Sequence, residues 1–350
     1  FIKYLYIKMK KKYFLKGGKL QMPLLRETIN QTNKEFNELI NNDNKKLPMP
    51  IIGSKNVIIE ENNKCSPSMG FVSGSCIPLS ILHKIAETYN ETTKNKIILI
   101  GEDGIDEKYL DKYKLYLVNE LQIALDKDQT KWSEYDFMDK LDKNVKEILE
   151  KSIFRIEGPN KQFEWMDSIR MTIVMEQYED LYQKFKYLGS VPLDFKKHSI
   201  YKIKDIDFKQ LEDEGKHRFG LIINSDRHSG SGQHWFMMFF DLEKGEIYFI
   251  DSCAKNPEVY GKEIEEFVDT IKQYLESKGF EKEDIIYKYN TIEHQKGNSE
   301  CGVYSMYYIE KFLEGKTFDE ITKNVITDDE VNEYRLKFFS NIPKNWKKQN

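Results

Sequence analysis

"HWFMMFFDLEKGEIYFID", residues 234–251, decides how this chain folds. Two aromatic-rich runs flank the turn-forming segment DLEKG, and the whole reads as a β-hairpin. With a four-residue loop Asp241–Lys244, Phe240 pairs with Gly245. Met238 then faces Ile247, Phe236 faces Phe249, and His234 faces Asp251. Directly opposed residues share a sheet face and lie about 4.5–5.5 Å apart at Cα. An imidazole and a carboxylate therefore meet at the open end of an apolar face, where a charged pair is costly unless it is mutually satisfied or used. A purely structural His–Asp hydrogen bond fits the same pattern equally well.

Working outward, "RFGLIIN" (218–224) reads as a strand and "SDRHSGSGQ" (225–233) as a flexible Gly/Ser loop into His234. Downstream, Ile264, Phe267, Val268, Ile271 and Leu275 recur with helical spacing, and "IIYKY" (285–289) reads as a further strand. "GNSECGVYSMYYIEKF" (297–312) follows. Asn298 and Ser299 are N-cap types there, and the run after Cys301 is apolar over most of a helix circumference, as in a helix buried inside a domain. Cys301 and Gly302 occupy its first turn. Unpaired N–H groups and the helix dipole favour an anion at that place. Cys301 is thus either a small core residue or a nucleophile with open space beside it at Gly302. As a nucleophile it needs a base and an orienter, which His234 and Asp251 supply. Gln295, six residues upstream, adds an amide donor suited to an oxyanion. The remaining histidines (His83, His198, His217, His228, His294) have no opposed acid that sequence identifies and read as surface residues.

The N-terminal half is different. Residues 1–26 are basic and aromatic and lack the pattern of a signal peptide. The chain opens on Phe, so a fragment, or an over-extended reading frame whose true start is Met9 or Met22, is expected. Residues 27–64 read as a linker. From 65 to 153 three helices are expected: Pro78–Tyr89, one on Leu110–Leu125, and one capped by Ser133 and Asp136 that carries Met138, Leu141, Val145, Ile148 and Leu149. A helix over Ile169–Phe185 opens the second half. The domain plan is therefore a tail and linker over 1–64, a small helical domain over 65–153, and a mixed domain over 155–345. Strands clustered together with helices before and after make the class α+β.

With 350 residues, 32% charged and a net charge of only -4, the chain has no overall basic field pointing to nucleic acid, its basic N-terminal tail apart. No run approaches the ~18 apolar residues of a membrane span. Four cysteines (Cys65, Cys76, Cys253, Cys301) in so long a chain are not a disulfide framework, which sets a reducing intracellular compartment as the expectation. Cys65 and Cys76 lack the paired short spacings of a zinc site.

The joint pattern resembles the ubiquitin-like-protein proteases, the family of SUMO-specific proteases and adenovirus-type endopeptidases. It consists of His234–Trp235, Asp251 seventeen residues after the His, and Gln295 six residues before Cys301–Gly302. "GPNKQFEWMDSIRMTIVMEQYE", "FKYLGSVPLDF" and "HQKGNSECGVYS" look like catalytic domains of large DNA viruses, and "GSCIPLSILHKIAETYN" like their N-terminal regions. Glu300 departs from the Asp that many cellular relatives carry. The resemblance implies a papain-like core and a thiol peptidase without metal or cofactor. It implies His234 as base, Asp251 as orienter and Cys301 as nucleophile. Gln295 with the Cys301 N–H would hold the oxyanion, and Trp235 would wall a narrow channel. It also implies cleavage after Gly in Gly-Gly or Gly-Xaa sequences. The protein substrates it implies are viral core or capsid precursors, with ubiquitin-like conjugates as the alternative, acting in host cytoplasm or virion. Acyl transfer on the same fold and a non-catalytic binding role are further alternatives.

Overall fold

A computed structural model describes residues 64–100, 109–159, 164–201, 203–340 and 342. The basic tail and nearly all of the 27–64 linker lie outside these. The described residues fall into two compact units, one over 78–141 and one made of 64–77 together with 142–342. The division does not follow the 65–153 span expected from sequence, because both ends of that span group with the second unit. Cys65 pairs with Phe154 in an isolated β-bridge, and Ser66 N–H donates to the Ile153 carbonyl at 2.9 Å.

Two of the four cysteines are joined, against the expectation. Cys65 and Cys76 form a disulfide with Cα atoms 5.4 Å apart. Chain reversal at Ser73 and Gly74, both at positive φ, brings them together, with Val72 bridged to Ser75. Cys253 and Cys301 are free.

The smaller unit holds α1 (Leu79–Thr92) and α2 (Leu110–Ala124). Both meet their expected apolar faces, with Ile81, Leu82, Ile85, Leu117 and Leu121 buried. The third expected helix is broken. Two 3₁₀ turns, Gln129–Glu134 and Asp136–Lys140, precede a short α3 (Lys143–Ile148). The break is local chemistry. Tyr135 and Leu141 are extended, and Asp142 restarts the helix by accepting from the backbone N–H groups of Asn144 and Val145. Asp favours such caps over helix interiors.

The larger unit is built on a mixed five-stranded sheet in the order β1-β2-β3-β4-β5: Phe185–Pro192, Arg218–Asn224, Trp235–Asp241, Glu246–Ile250 and Ile286–Tyr289. β1 pairs parallel with β2, β4 parallel with β5, and the central strands antiparallel. β1 is a strand that the sequence pattern did not announce; the helix before it, α4, ends earlier than expected (Ser168–Leu181). α5 (Phe208–Asp213) lies between β1 and β2, and α6 is Lys262–Ser277. After β5 come α7 (Cys301–Leu313), α8 (Phe318–Lys323) and α9 (Asp328–Phe338).

The sheet is covered on both faces, which explains its near-continuous apolar strands. On one face Phe236, Met238, Phe240, Ile247 and Phe249 pack with Ile264, Phe267, Val268 and Ile271 of α6. On the other, Met237, Phe239, Tyr248 and Ile250 pack with Val303, Met306, Ile309 and Phe312 of α7. α7 is a helix buried nearly all round, with only Tyr307 and Lys311 partly exposed.

The hairpin forms with a four-residue loop, but two register steps from expectation. Asp241 pairs with Glu246, Phe240 with Ile247 and Met238 with Phe249. The loop is Leu242–Gly245. The Asp241 carboxylate accepts from the N–H groups of Glu243 and Lys244, which keeps Asp241 at the strand end, and Gly245 closes the turn at φ +69°. A slip of one residue would exchange the faces; a slip of two preserves them.

Candidate active site

His234 and Asp251 lie just past the facing ends of β3 and β4. In the observed register Asp251 is two positions off His234 along its strand, a diagonal neighbour within reach of a long side chain. The contact forms: His234 Nε2 and Asp251 Oδ1 are 2.8 Å apart. Asp251 is fully buried. Its Oδ1 also accepts from the Cys253 N–H at 2.8 Å, and its Oδ2 from the Tyr260 hydroxyl. Asn290 grips the Asp251 backbone on both sides, donating to its carbonyl at 2.7 Å and accepting from its N–H at 2.9 Å. Tyr260 stacks on Phe236 with ring centroids 4.2 Å apart, so the apolar face of the hairpin positions the phenol.

Burial pulls the His234 imidazole toward the neutral form. Hydrogen bonding to Asp251 and Cys301 outweighs this, and its pKa is pushed up to about 9. Nε2 is taken by Asp251, which leaves Nδ1 as the second ring nitrogen. The side chain is 14% exposed.

Cys301 is the first residue of α7 and is nearly buried, at 6% exposure. The N-cap position is Glu300, with no side-chain cap, and not Asn298 or Ser299 as expected. The open space expected at Gly302 is absent. A Cβ there would lie 2.6 Å from Met166 Cβ, so the missing side chain lets residue 166 lie directly against the first turn of α7.

Glu300 turns back on its own loop. One oxygen accepts from Ser299 N–H at 3.0 Å; the other accepts from Ser299 Oγ at 2.6 Å and from Asn332 Nδ2 at 3.3 Å.

Gln295 is buried and fixed at both ends of its amide. Its Oε1 accepts from Ser252 Oγ at 2.7 Å, and its Nε2 donates to the Gly297 carbonyl at 3.1 Å. The backbone N–H groups of His294 and Gln295 both donate to the Ser252 carbonyl. The turn after Asp251 and the loop before Cys301 are therefore tied together. Trp235 is half-buried and donates its indole N–H to the Met166 carbonyl at 3.1 Å.

Cys253 is a neighbour that the sequence pattern did not single out. One donor atom each of His234, Asp251 and Cys253 lie within 4.8 Å of one another. Burial and the adjacent Asp251 charge push its thiol up to about 11. Asp251 is already saturated by hydrogen-bond donors, so this group is primarily a hydrogen-bonded cluster.

The other histidines are less solvated than expected. His83 approaches Glu87, His198 approaches Asp194, and His217 approaches Glu212 at 3.2 Å. His228 bonds the Tyr201 hydroxyl, and His294 is buried against the Thr322 carbonyl. A His–acid pair is therefore common in this chain. The additional Cys301 contact sets His234 apart.

Residues 221–347 match the C-terminal catalytic domain of the Ulp1 protease family. The chain is 38% identical over 211 residues to a putative thiol protease of Acanthamoeba polyphaga mimivirus, covering 60% of this chain and 68% of that one. It is 25% identical over 202 residues to the SUMO-1 cysteine protease of African swine fever virus, covering 53% of this chain and 71% of the relative. A crystal structure of an African swine fever virus protease superposes with a TM-score of 0.53 at 18% identity, over 82% of this chain and 99% of that one. At that identity the likeness speaks to the shared α+β fold.

Proposed function

The chain belongs to the Ulp1 protease family and is a cysteine-type peptidase of the kind found in large DNA viruses, and from that premise we propose that it cleaves protein substrates after glycine through Cys301, His234 and Asp251. The carrying observation is one imidazole held by Asp251 at 2.8 Å through Nε2, with Asp251 and Cys301 together raising its pKa. In this reading the Cys301 sulfur attacks the scissile carbonyl carbon. Negative charge moves to the carbonyl oxygen, where the Cys301 N–H and the Gln295 amide stabilise it. His234 gives its proton to the leaving amine as the C–N bond breaks. Water, deprotonated by His234, then releases the acyl group and regenerates the thiol. Asp251 holds the ring orientation throughout.

The glycine preference is supported by crowding. Trp235 is tied down beside Met166, and Met166 lies against Gly302; in this reading the two would narrow the approach to Cys301 for a substrate side chain. The substrates are proposed to be viral structural precursors. Deconjugation of ubiquitin-like proteins is the second reading, favoured by the name of the African swine fever virus relative, a SUMO-1 cysteine protease.

A Gly-Gly-Xaa peptide library, assayed alongside a SUMO vinyl-sulfone probe, tests both. Cleavage after Gly that vanishes in Cys301→Ala supports the proposal. Cleavage only after bulky residues would overturn it, and fast labelling by the probe would favour deconjugation.

A further inference from the structure

The carbonyl two residues before Cys301 ends on a buried cation. Arg335, on α9, is fully buried, although arginine is rarely so. Its guanidinium donates to acceptors on three segments. Nε donates to Asn332 Oδ1 at 2.9 Å and Nη2 to the Ser299 carbonyl at 3.2 Å. Nη1 reaches the Glu164 carbonyl at 3.1 Å and Met166 Sδ at 3.4 Å. Ser299 belongs to the turn entering α7, and Met166 is the residue against which Gly302 lies. One side chain thus ties both walls around Cys301 together.

The same network holds Glu300. Asn332 accepts from Arg335 and donates to the Glu300 carboxylate, so it bridges the two charges. Burial pulls the Arg335 pKa down to about 10, opposed by the neighbouring Glu300, Cys301 and Glu164. A charge buried this deeply is costly unless paired and hydrogen-bonded. Glu300 directly precedes Cys301 in the chain, and the guanidinium brings a positive charge to the same turn through the Ser299 carbonyl.

We propose that Arg335 is a positioning residue for the nucleophile: it pins the Ser299–Cys301 turn against the Glu164–Met166 segment, and its charge offsets those of Glu300 and Glu164, so that the start of α7 carries the Cys301 thiolate. The proposal rests on Cys301 being the nucleophile. It predicts that lysine is no substitute, because an ammonium keeps the charge but lacks the planar fork that satisfies several acceptors at once.

The test uses the full chain carrying R335K or R335M, with a melting curve for each. Two quantities are read: steady-state kinetics on a Gly-Gly reporter, and the pH profile of iodoacetamide modification mapped to Cys301 by mass spectrometry. R335K is expected to hold the alkylation profile within about half a pH unit while kcat falls roughly tenfold or more at little-changed KM. R335M is expected to move the profile upward by about one pH unit or more. A folded R335K with wild-type kcat overturns the proposal, and so does a folded R335M with a wild-type alkylation profile; a lowered Tm alone marks an arginine that only stabilises the fold. If R335M does not fold, the kcat of R335K decides. Cys301→Ala is run alongside. Residual activity there overturns the nucleophile assignment itself, whereas inactive Cys301→Ala with unaffected Arg335 variants overturns only the role given to Arg335.

Discussion

His234 and Asp251 are hydrogen-bonded at 2.8 Å without being cross-strand partners. The ladder pairs Phe240 with Ile247, which leaves Asp251 diagonal to His234. The carboxylate reaches the ring because a turn begins at Asp251, where the Ala254 N–H donates to its carbonyl and the Cys253 N–H to its Oδ1. Three further groups, Tyr260 and both ends of the Asn290 amide, then hold the aspartate in place.

The pH dependence of turnover follows from this pairing. In the proposed mechanism His234 carries a proton for the leaving amine, and its pKa is raised to about 9. Activity is therefore predicted to hold through neutrality and to fall as pH rises through about 9. Asp251 is the hydrogen-bonded anion that raises the imidazole. Asp251→Asn removes that charge, so the basic limb of the kcat profile should move to lower pH and kcat should drop. An unmoved limb in Asp251→Asn would show that the carboxylate does not set the protonation of His234.

Gln295→Ala is predicted to lower kcat by about 10²–10³ with little change in KM, as expected for losing an oxyanion donor. Ser252→Ala should give a smaller loss of the same kind, since it frees Oε1 of an amide otherwise held at both ends. A raised KM at constant kcat in Gln295→Ala would instead assign the glutamine to substrate binding.

Thiol reactivity should separate the two free cysteines. Cys253 is pushed up to about 11, so at pH 7 only about one part in 10⁴ is thiolate. Iodoacetamide at that pH is predicted to modify Cys301 first, and Cys65 and Cys76 only after reduction of their disulfide. Equal modification of Cys253 and Cys301, read by peptide mass spectrometry, would contradict the assignment.

Gly302→Ala should be harmful despite its small size. Its Cβ meets Met166 Cβ at 2.6 Å and Met171 Sδ at 3.2 Å, and overpacking of this kind costs about 1–3 kcal/mol. A Tm lowered by several degrees and a depressed kcat are expected. A variant with wild-type stability and rate would mean that the 164–166 segment yields freely.

Much of this protein was written in local sequence. The hairpin, the amphipathic α6 and the largely apolar α7 follow from residue periodicity, because each element's buried face is set by the spacing of its own apolar residues. The face shared by His234 and Asp251 was legible for the same reason. Side chains alternate with period two, so a register error of two residues left them on one face. The loop position itself was not legible, since it depended on the Asp241 carboxylate capping the turn.

Tertiary structure alone decided the rest. Tyr260, Asn290, Ser252, Asn332 and Arg335 enter the site from separate elements, and no spacing relates them to Cys301. Hydrogen bonds and charges act over a few ångströms of space, whatever the distance along the chain. The Cys65–Cys76 pairing also depends on geometry, because the chain reversal at Ser73–Gly74 brings the two sulfurs together. The sequence by itself determined which groups can do chemistry. The packing of α7 and α9 around one turn determined which of them meet, because close-packed interiors leave each buried charge only the partners that neighbouring elements bring to it.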